Sequence, residues 1–123
     1  MKVRGSLVSV VDDDESVRES VPDLLRSFGF TSQAFSSAEE FLNSEFVGRT
    51  ECLVLDIVMP DMSGPALRHE LERRRKNIPI VFITAHGEES LRARILEAGA
   101  VECLLKPFSA TALLNAITAA LRG

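Results

Sequence analysis

The hydrophobic positions of the chain fall into two interleaved patterns. Short, nearly unbroken apolar runs occur at Leu7 to Val11, Cys52 to Leu55, Ile78 to Ile83 and Val101 to Leu105. Runs of this length, rich in Val, Ile and Leu, suit strands buried on both faces of a parallel sheet better than half-exposed antiparallel ones. A fifth run, Phe30 to Phe35, is more polar and suits an edge strand.

Between the runs the apolar residues take a helical spacing. Val17, Val21, Leu24, Leu25 and Phe28 follow the 3.6-residue period, and Gly29 stands where a helix C-terminus favours a positive φ. Pro22 interrupts this pattern, because it cannot donate to the Arg18 carbonyl and is expected to bend or weaken the helix. Ser37 with Glu40 is a capping-box signature for a short second helix through Phe41 and Leu42. Ser63, ahead of Gly64 and Pro65, opens a third carrying Leu67 and Leu71. Leu91, Ile95 and Ala98 define a fourth that stops at Gly99, and Ser109 caps a fifth with Leu113, Ile117 and Leu121.

Strict strand–helix alternation makes successive strands parallel, and right-handed crossovers limit how the helices cover the sheet. The expected fold class is α/β, a doubly wound five-stranded parallel sheet of order 2-1-3-4-5. In that order ligands sit beyond the carboxyl ends of the strands, at the switch point between strands 1 and 3.

Composition narrows the function. The 123 residues, 46% hydrophobic and 26% charged, contain no linker or repeat, so residues 1–123 are expected to form a single domain. The net charge of -4 and the lack of Trp and Tyr argue against a surface built for nucleic acid or anionic lipid. Arg73-Arg74-Arg75-Lys76 reads as a solvated helix end whose charge suits the dipole. No apolar stretch approaches the roughly eighteen residues of a membrane span, and the start lacks a signal-peptide core, so a cytoplasmic chain without membrane contact is expected. Cys52 and Cys103 show no metal-ligand or redox spacing and read as buried free thiols.

The chemistry lies at the strand ends. Strand 1 runs into Asp12-Asp13-Asp14, strand 3 into Asp56, strand 4 into Thr84 and strand 5 into Lys106. Carboxylates a few ångströms apart repel by about 4 kcal/mol at 4 Å and an effective dielectric near 20. Lys106 can offset one charge, and a hard divalent cation such as Mg2+, held by carboxylate oxygens, a backbone carbonyl and water, can offset the rest. Asp56 can then act as a nucleophile that becomes an aspartyl phosphate. Mg2+, the Thr84 hydroxyl and the Lys106 ammonium would each face one equatorial phosphoryl oxygen.

These residues, in the words Val10-Val11-Asp12-Asp13-Asp14, Leu53 to Gly64, Phe82-Ile83-Thr84-Ala85-His86 and Leu105-Lys106-Pro107-Phe108, resemble response-regulator receiver domains of two-component signalling. The resemblance runs from Val8 to Leu121 and implies the flavodoxin-like receiver fold. It implies that Asp56 accepts a phosphoryl group from the phosphohistidine of a sensor histidine kinase or phosphotransfer protein, the domain catalysing only its own phosphorylation and slow dephosphorylation. It assigns Asp13 as a direct Mg2+ ligand, Asp12 as one acting mostly through water, and the Val58 carbonyl as the third protein ligand. Thr84 and Lys106 become phosphoryl contacts and sensors, Asp14 a spectator near a helix start, and the peptide before Pro107 cis. It also implies that phosphorylation switches a partner or homodimer surface on helix 4, strand 5 and helix 5, including Arg92, Arg94 and Glu97. DNA would be reached only through an output domain beyond residue 123, the chain being either a complete regulator or the receiver of a longer one.

Three positions depart from the family. Many receivers carry Tyr or Phe three residues before the strand-5 lysine, where this chain has Cys103, so the switch is expected to use Thr84 and the loop from Ala85 to Glu88 more than strand 5. Val58 and His86 flank the path of the hydrolytic water in such domains. Val58 cannot orient water, whereas a histidine can act as a base near neutral pH. Other functions fit only parts of the pattern. A haloacid-dehalogenase-type phosphatase would want a second acid where Val58 stands, and a flavodoxin-like redox module would want a phosphate loop in place of the acidic triplet. A receiver-shaped module that never carries phosphate would not need the set Asp13, Asp56, Thr84 and Lys106.

Overall fold

The computed structural model describes residues 5–85, 89–98 and 102–122. Five strands, β1 (Leu7–Val11), β2 (Thr31–Phe35), β3 (Cys52–Asp56), β4 (Ile80–Thr84) and β5 (Glu102–Leu105), pair in parallel in the order β2-β1-β3-β4-β5. They alternate with α1 (Glu15–Ser27), α2 (Ala38–Leu42), α3 (Gly64–Arg73), α4 (Glu89–Glu97) and α5 (Ala110–Arg122). This is the doubly wound sheet the hydrophobic pattern predicts. Each strand divides its side chains between two cores, as the two-residue strand period requires. Leu53, Leu55 and Phe82 join Leu67, Leu71 and Ile95 on the α3 and α4 face. Val8, Val10, Val54 and Ile83 join Val17, Leu25, Leu113 and Ile117 under α1 and α5.

Local signals explain most boundaries. Ser37 Oγ accepts from the Glu40 amide at 3.0 Å, while Glu40 Oε1 accepts from the amide of Ser36, one residue earlier than a regular capping box would have it. Ser63 and Ser109 accept from Ala66 N and Ala112 N at 3.2 and 3.0 Å. Gly29 has φ 95°, the left-handed geometry expected after α1. Asp14 is the N-cap of α1 and accepts from the Ser16 amide, a specific structural job beyond favourable placement at a dipole.

Four expectations are corrected or refined. α1 continues through Pro22, which is buried. β4 begins at Ile80, since Pro79 has no amide to give to the ladder. β5 lies at an edge and is only partly buried, unlike the inner strands, although its apolar run looks the same in sequence. A 3-10 turn at Val47–Arg49 was not signalled by the pattern. The expected helix stop at Gly99 and strand start at Val101 lie outside the described residues. Both cysteines are buried and free.

Candidate functional site

Parallel strands end at the same edge of a sheet, so the loops after β1, β3, β4 and β5 converge there. The backbone ladder carries on just past the strands: Asp12 N donates to Phe35 O, Ile57 N to Ile83 O, and Lys106 N to Thr84 O. The side chains of Asp12, Asp56, Thr84 and Lys106 are thereby placed by main-chain bonds from neighbouring strands. One carboxylate oxygen from each of Asp12, Asp13 and Asp56 lies within 4.8 Å of the others.

Lys106 does not treat the acids equally. Its Nζ is 2.9 Å from Asp12 Oδ2 and 3.7 Å from Asp56 Oδ2. Asp12 is wholly buried, cut off from water, and takes the closer ion pair. Its other oxygen accepts from the Asp14 amide at 2.9 Å. Asp56, also buried, accepts from the Val58 amide at 3.3 Å. Burial first and the Asp12 charge second push the Asp56 carboxyl up to about 7, and Lys106 only partly opposes them. For Lys106 itself, burial works to lower the pKa, but its contacts with Asp12 and Asp56 outweigh this and hold the ammonium above its ordinary value.

Thr84 is completely buried, and its Oγ1 has no hydrogen-bond partner among the described residues. A buried hydroxyl left unpaired costs about 1–3 kcal/mol, which a hydrogen bond to it would relieve. Asp13 and Val58 are exposed at the mouth of the site. The Lys106–Pro107 peptide is cis. Beside the acids opens a groove of about 510 Å³ lined by Val17, Val21, Ala85, Lys106, Pro107 and Phe108. His86 and residues 87 and 88 of the loop after β4 lie outside the described residues.

This constellation can be compared with known proteins. The family model of the response regulator receiver domain matches residues 8–118. The chain belongs to the response regulator receiver domain family. The receiver is 41% identical over 122 residues to the response regulator protein TodT of Pseudomonas putida, covering 99% of this chain and 54% of that protein. It is 41% identical over 110 residues to the transcriptional regulatory protein FixJ of Rhizobium meliloti, covering 89% and 54%. The crystal structure of FixJ-N superposes with a TM-score of 0.86 at 38% identity, over 98% of this chain and 96% of that one. The receiver thus spans about half the length of the curated relatives it matches.

Two residues with structural roles at the site were not singled out for them in sequence. Arg18, half-buried on α1, donates from Nη1 to the Asp12 carbonyl at 3.1 Å and steadies the turn that presents the acids. Its place one turn after the N-cap was the available signal. Gly64 begins α3 directly beneath the end of β3. A Cβ there would stand 2.5 Å from the Asp56 carbonyl oxygen, 3.0 Å from Ile57 Cα and 3.1 Å from the Phe82 ring. Two of these neighbours are backbone and cannot swing away. Gly64→Ala is therefore expected to destabilise the receiver by ~1–3 kcal/mol and to shift the Asp56 and Ile57 backbone resonances. Urea denaturation and an amide NMR spectrum check this; a stability change under 0.5 kcal/mol would contradict it.

Proposed function

We propose that the receiver takes a phosphoryl group onto Asp56 from the phosphohistidine of a sensor histidine kinase or phosphotransfer protein. A carboxylate oxygen of Asp56 bonds to phosphorus as the P–N bond breaks, and the leaving imidazole nitrogen keeps the electron pair and takes a proton from solvent. The observation that carries this reading is the buried Thr84 hydroxyl, unpartnered among the described residues, at the sheet edge that also holds Asp56 and the Lys106 ammonium. In this reading Thr84 donates to one phosphoryl oxygen and Lys106 pairs with a second.

The acid cluster fits Mg2+. Its donors are hard carboxylate oxygens, they already converge, and one lysine leaves their charge uncompensated. Asp13, Asp56 and the Val58 carbonyl would hold the ion directly, with Asp12 acting mostly through water. Bound there, Mg2+ would screen the acids and neutralise charge on the transferred group. Asp12, in its ion pair, keeps Lys106 at the site.

We further propose that the receiver works in the cytoplasm and catalyses only its own phosphorylation and slow dephosphorylation. Among the described residues no helix is long and apolar enough to cross a membrane. Phosphorylation would switch the surface of α4, β5 and α5 toward a partner or a second copy. The likeness to FixJ, named a transcriptional regulatory protein, supports a receiver that governs an attached output domain, through which any DNA is bound.

Incubation with Mg2+ and phosphoramidate is expected to add one phosphoryl group, mapped to Asp56 by mass spectrometry and lost with chelator or in Asp56→Ala. Full labelling of Asp56→Ala would overturn the assignment. Steady release of phosphate from added organic esters would favour a phosphatase.

A further inference from the structure

The open edge of β5 is closed by side chains. Lys106 N donates to Thr84 O. In a parallel ladder alternate residues face the same neighbour, so Cys103 directs its amide and carbonyl away from β4, toward the free edge. Glu102 Oε1 accepts from the Cys103 amide at 2.9 Å, and Arg92 Nε, from α4, donates to the Cys103 carbonyl at 2.6 Å. Arg92 Nη2 lies 3.6 Å from the same Glu102 oxygen. The far end of α4 is tied in a similar way. Arg68 Nη2, from α3, donates to the Ala98 carbonyl at 3.2 Å, just beyond the last helical residue.

Apart from these two bonds α4 has little to hold it. Ile95 is its one buried residue among those described, and Leu91 and Leu96 are only partly buried against the core. Cys103 is nevertheless fully buried, in the same apolar cluster as Ile95. Elements with few buried side chains are the ones that open locally while the rest of a domain stays folded.

We propose that α4 is a latched lid over Cys103, held by Arg92 from its first turn and by Arg68 at the residue after its last turn, and that these guanidinium–carbonyl bonds set how often it opens. The latch belongs to the resting chain and does not depend on chemistry at Asp56. Arg92 joins α4 to the backbone of β5 at the one position where both free-edge groups of the strand are occupied by side chains among the described residues. A hydrogen bond from a charged donor is among the stronger ones a protein makes, so its loss should shift a shallow opening equilibrium visibly.

The two thiols provide the measurement. Burial pushes Cys103 up to about 11 and Cys52 to about 12, so both are inert while covered. Cys52 lies in central β3 and reports global unfolding, whereas Cys103 reports the lid. Alkylation with iodoacetamide at pH 8, followed residue by residue by mass spectrometry, is expected to run about tenfold faster at Cys103 in Arg92→Ala and a few-fold faster in Arg68→Ala. Cys52 should keep the wild-type rate in both. Arg92→Lys, which retains the charge, should fall between, and it carries the test if Arg92→Ala does not fold. Exposed Arg94→Ala, which removes a charge from the same helix, should match wild type. Unchanged Cys103 labelling in Arg92→Ala and Arg68→Ala, equal acceleration of Cys52, or an equal effect of Arg94→Ala would each overturn the latch.

Discussion

Replacing Lys106 with methionine will slow covalent phosphorylation about 10²–10³-fold and lower folding stability by ~2–4 kcal/mol. Methionine approximates the length of the lysine stem and removes only the ammonium. The stability loss comes from Asp12, which is wholly buried and has Lys106 Nζ at 2.9 Å as its counter-charge. Removing one partner of such a pair leaves a charge that can neither be solvated nor paired. The rate loss comes from Asp56, because the same ammonium is a fixed positive charge 3.7 Å from its carboxylate, beside the proposed phosphoryl position. Lys106→Arg separates the two effects: it keeps the charge, so it should recover more stability than rate. The chain has no Trp, so circular dichroism is the practical signal for urea unfolding, with mass spectrometry for the rate. A phosphorylation rate within twofold of wild type in Lys106→Met would remove Lys106 from the proposed chemistry.

Asp56→Asn should stabilise the metal-free receiver, by ~1–3 kcal/mol above pH 7. In the folded chain the Asp56 carboxyl is pushed up to about 7 from an ordinary 3.8, chiefly by burial and then by Asp12. Between pH 4 and 7 the folded state therefore binds more protons at this group than the unfolded state does. Stability must fall as pH rises through that window, and the full penalty is present above about 7. An asparagine carries no charge at any pH. The gain of the variant over wild type should be largest above pH 7 and vanish below pH 4. Saturating Mg2+ should shrink or reverse it, because an ion that binds only the folded wild type adds stability the variant cannot collect. Urea midpoints from pH 4 to 8 in chelator and in Mg2+ test this. A variant less stable than wild type in chelator at pH 8 would show that the acid cluster is already compensated without metal.

Cys103 shows how a departure from the family pattern changes meaning in three dimensions. The sequence suggests a switch that, without an aromatic ring here, relies on Thr84 and the loop after it more than on strand 5. The structure shows a thiol buried beneath α4 and its carbonyl engaged by Arg92, eleven residues away. Nothing in the local pattern around Leu91 or Glu102 signals that contact, because Arg92 reads as one more charge on an exposed helical face. The loop from Ala85 to Glu88, on which that expectation rests, falls mostly on residues outside those described.

What could be read from the chain alone were the features set by local chemistry and by period. Apolar runs located the strands, serines marked three of the helix starts, and strand–helix alternation forced parallel pairing, which brought Asp12, Asp56, Thr84 and Lys106 to one edge. Such inferences need only neighbours in sequence and the handedness of crossovers. Other features needed coordinates. Lys106 lies closer to Asp12 than to Asp56, Thr84 keeps a hydroxyl with no partner among the described residues, Gly64 clears the Asp56 carbonyl, and β5 is only partly buried. Each depends on how separate elements of the chain pack against one another. A pattern of hydrophobic and polar letters fixes which groups can meet, but close packing decides which of them touch.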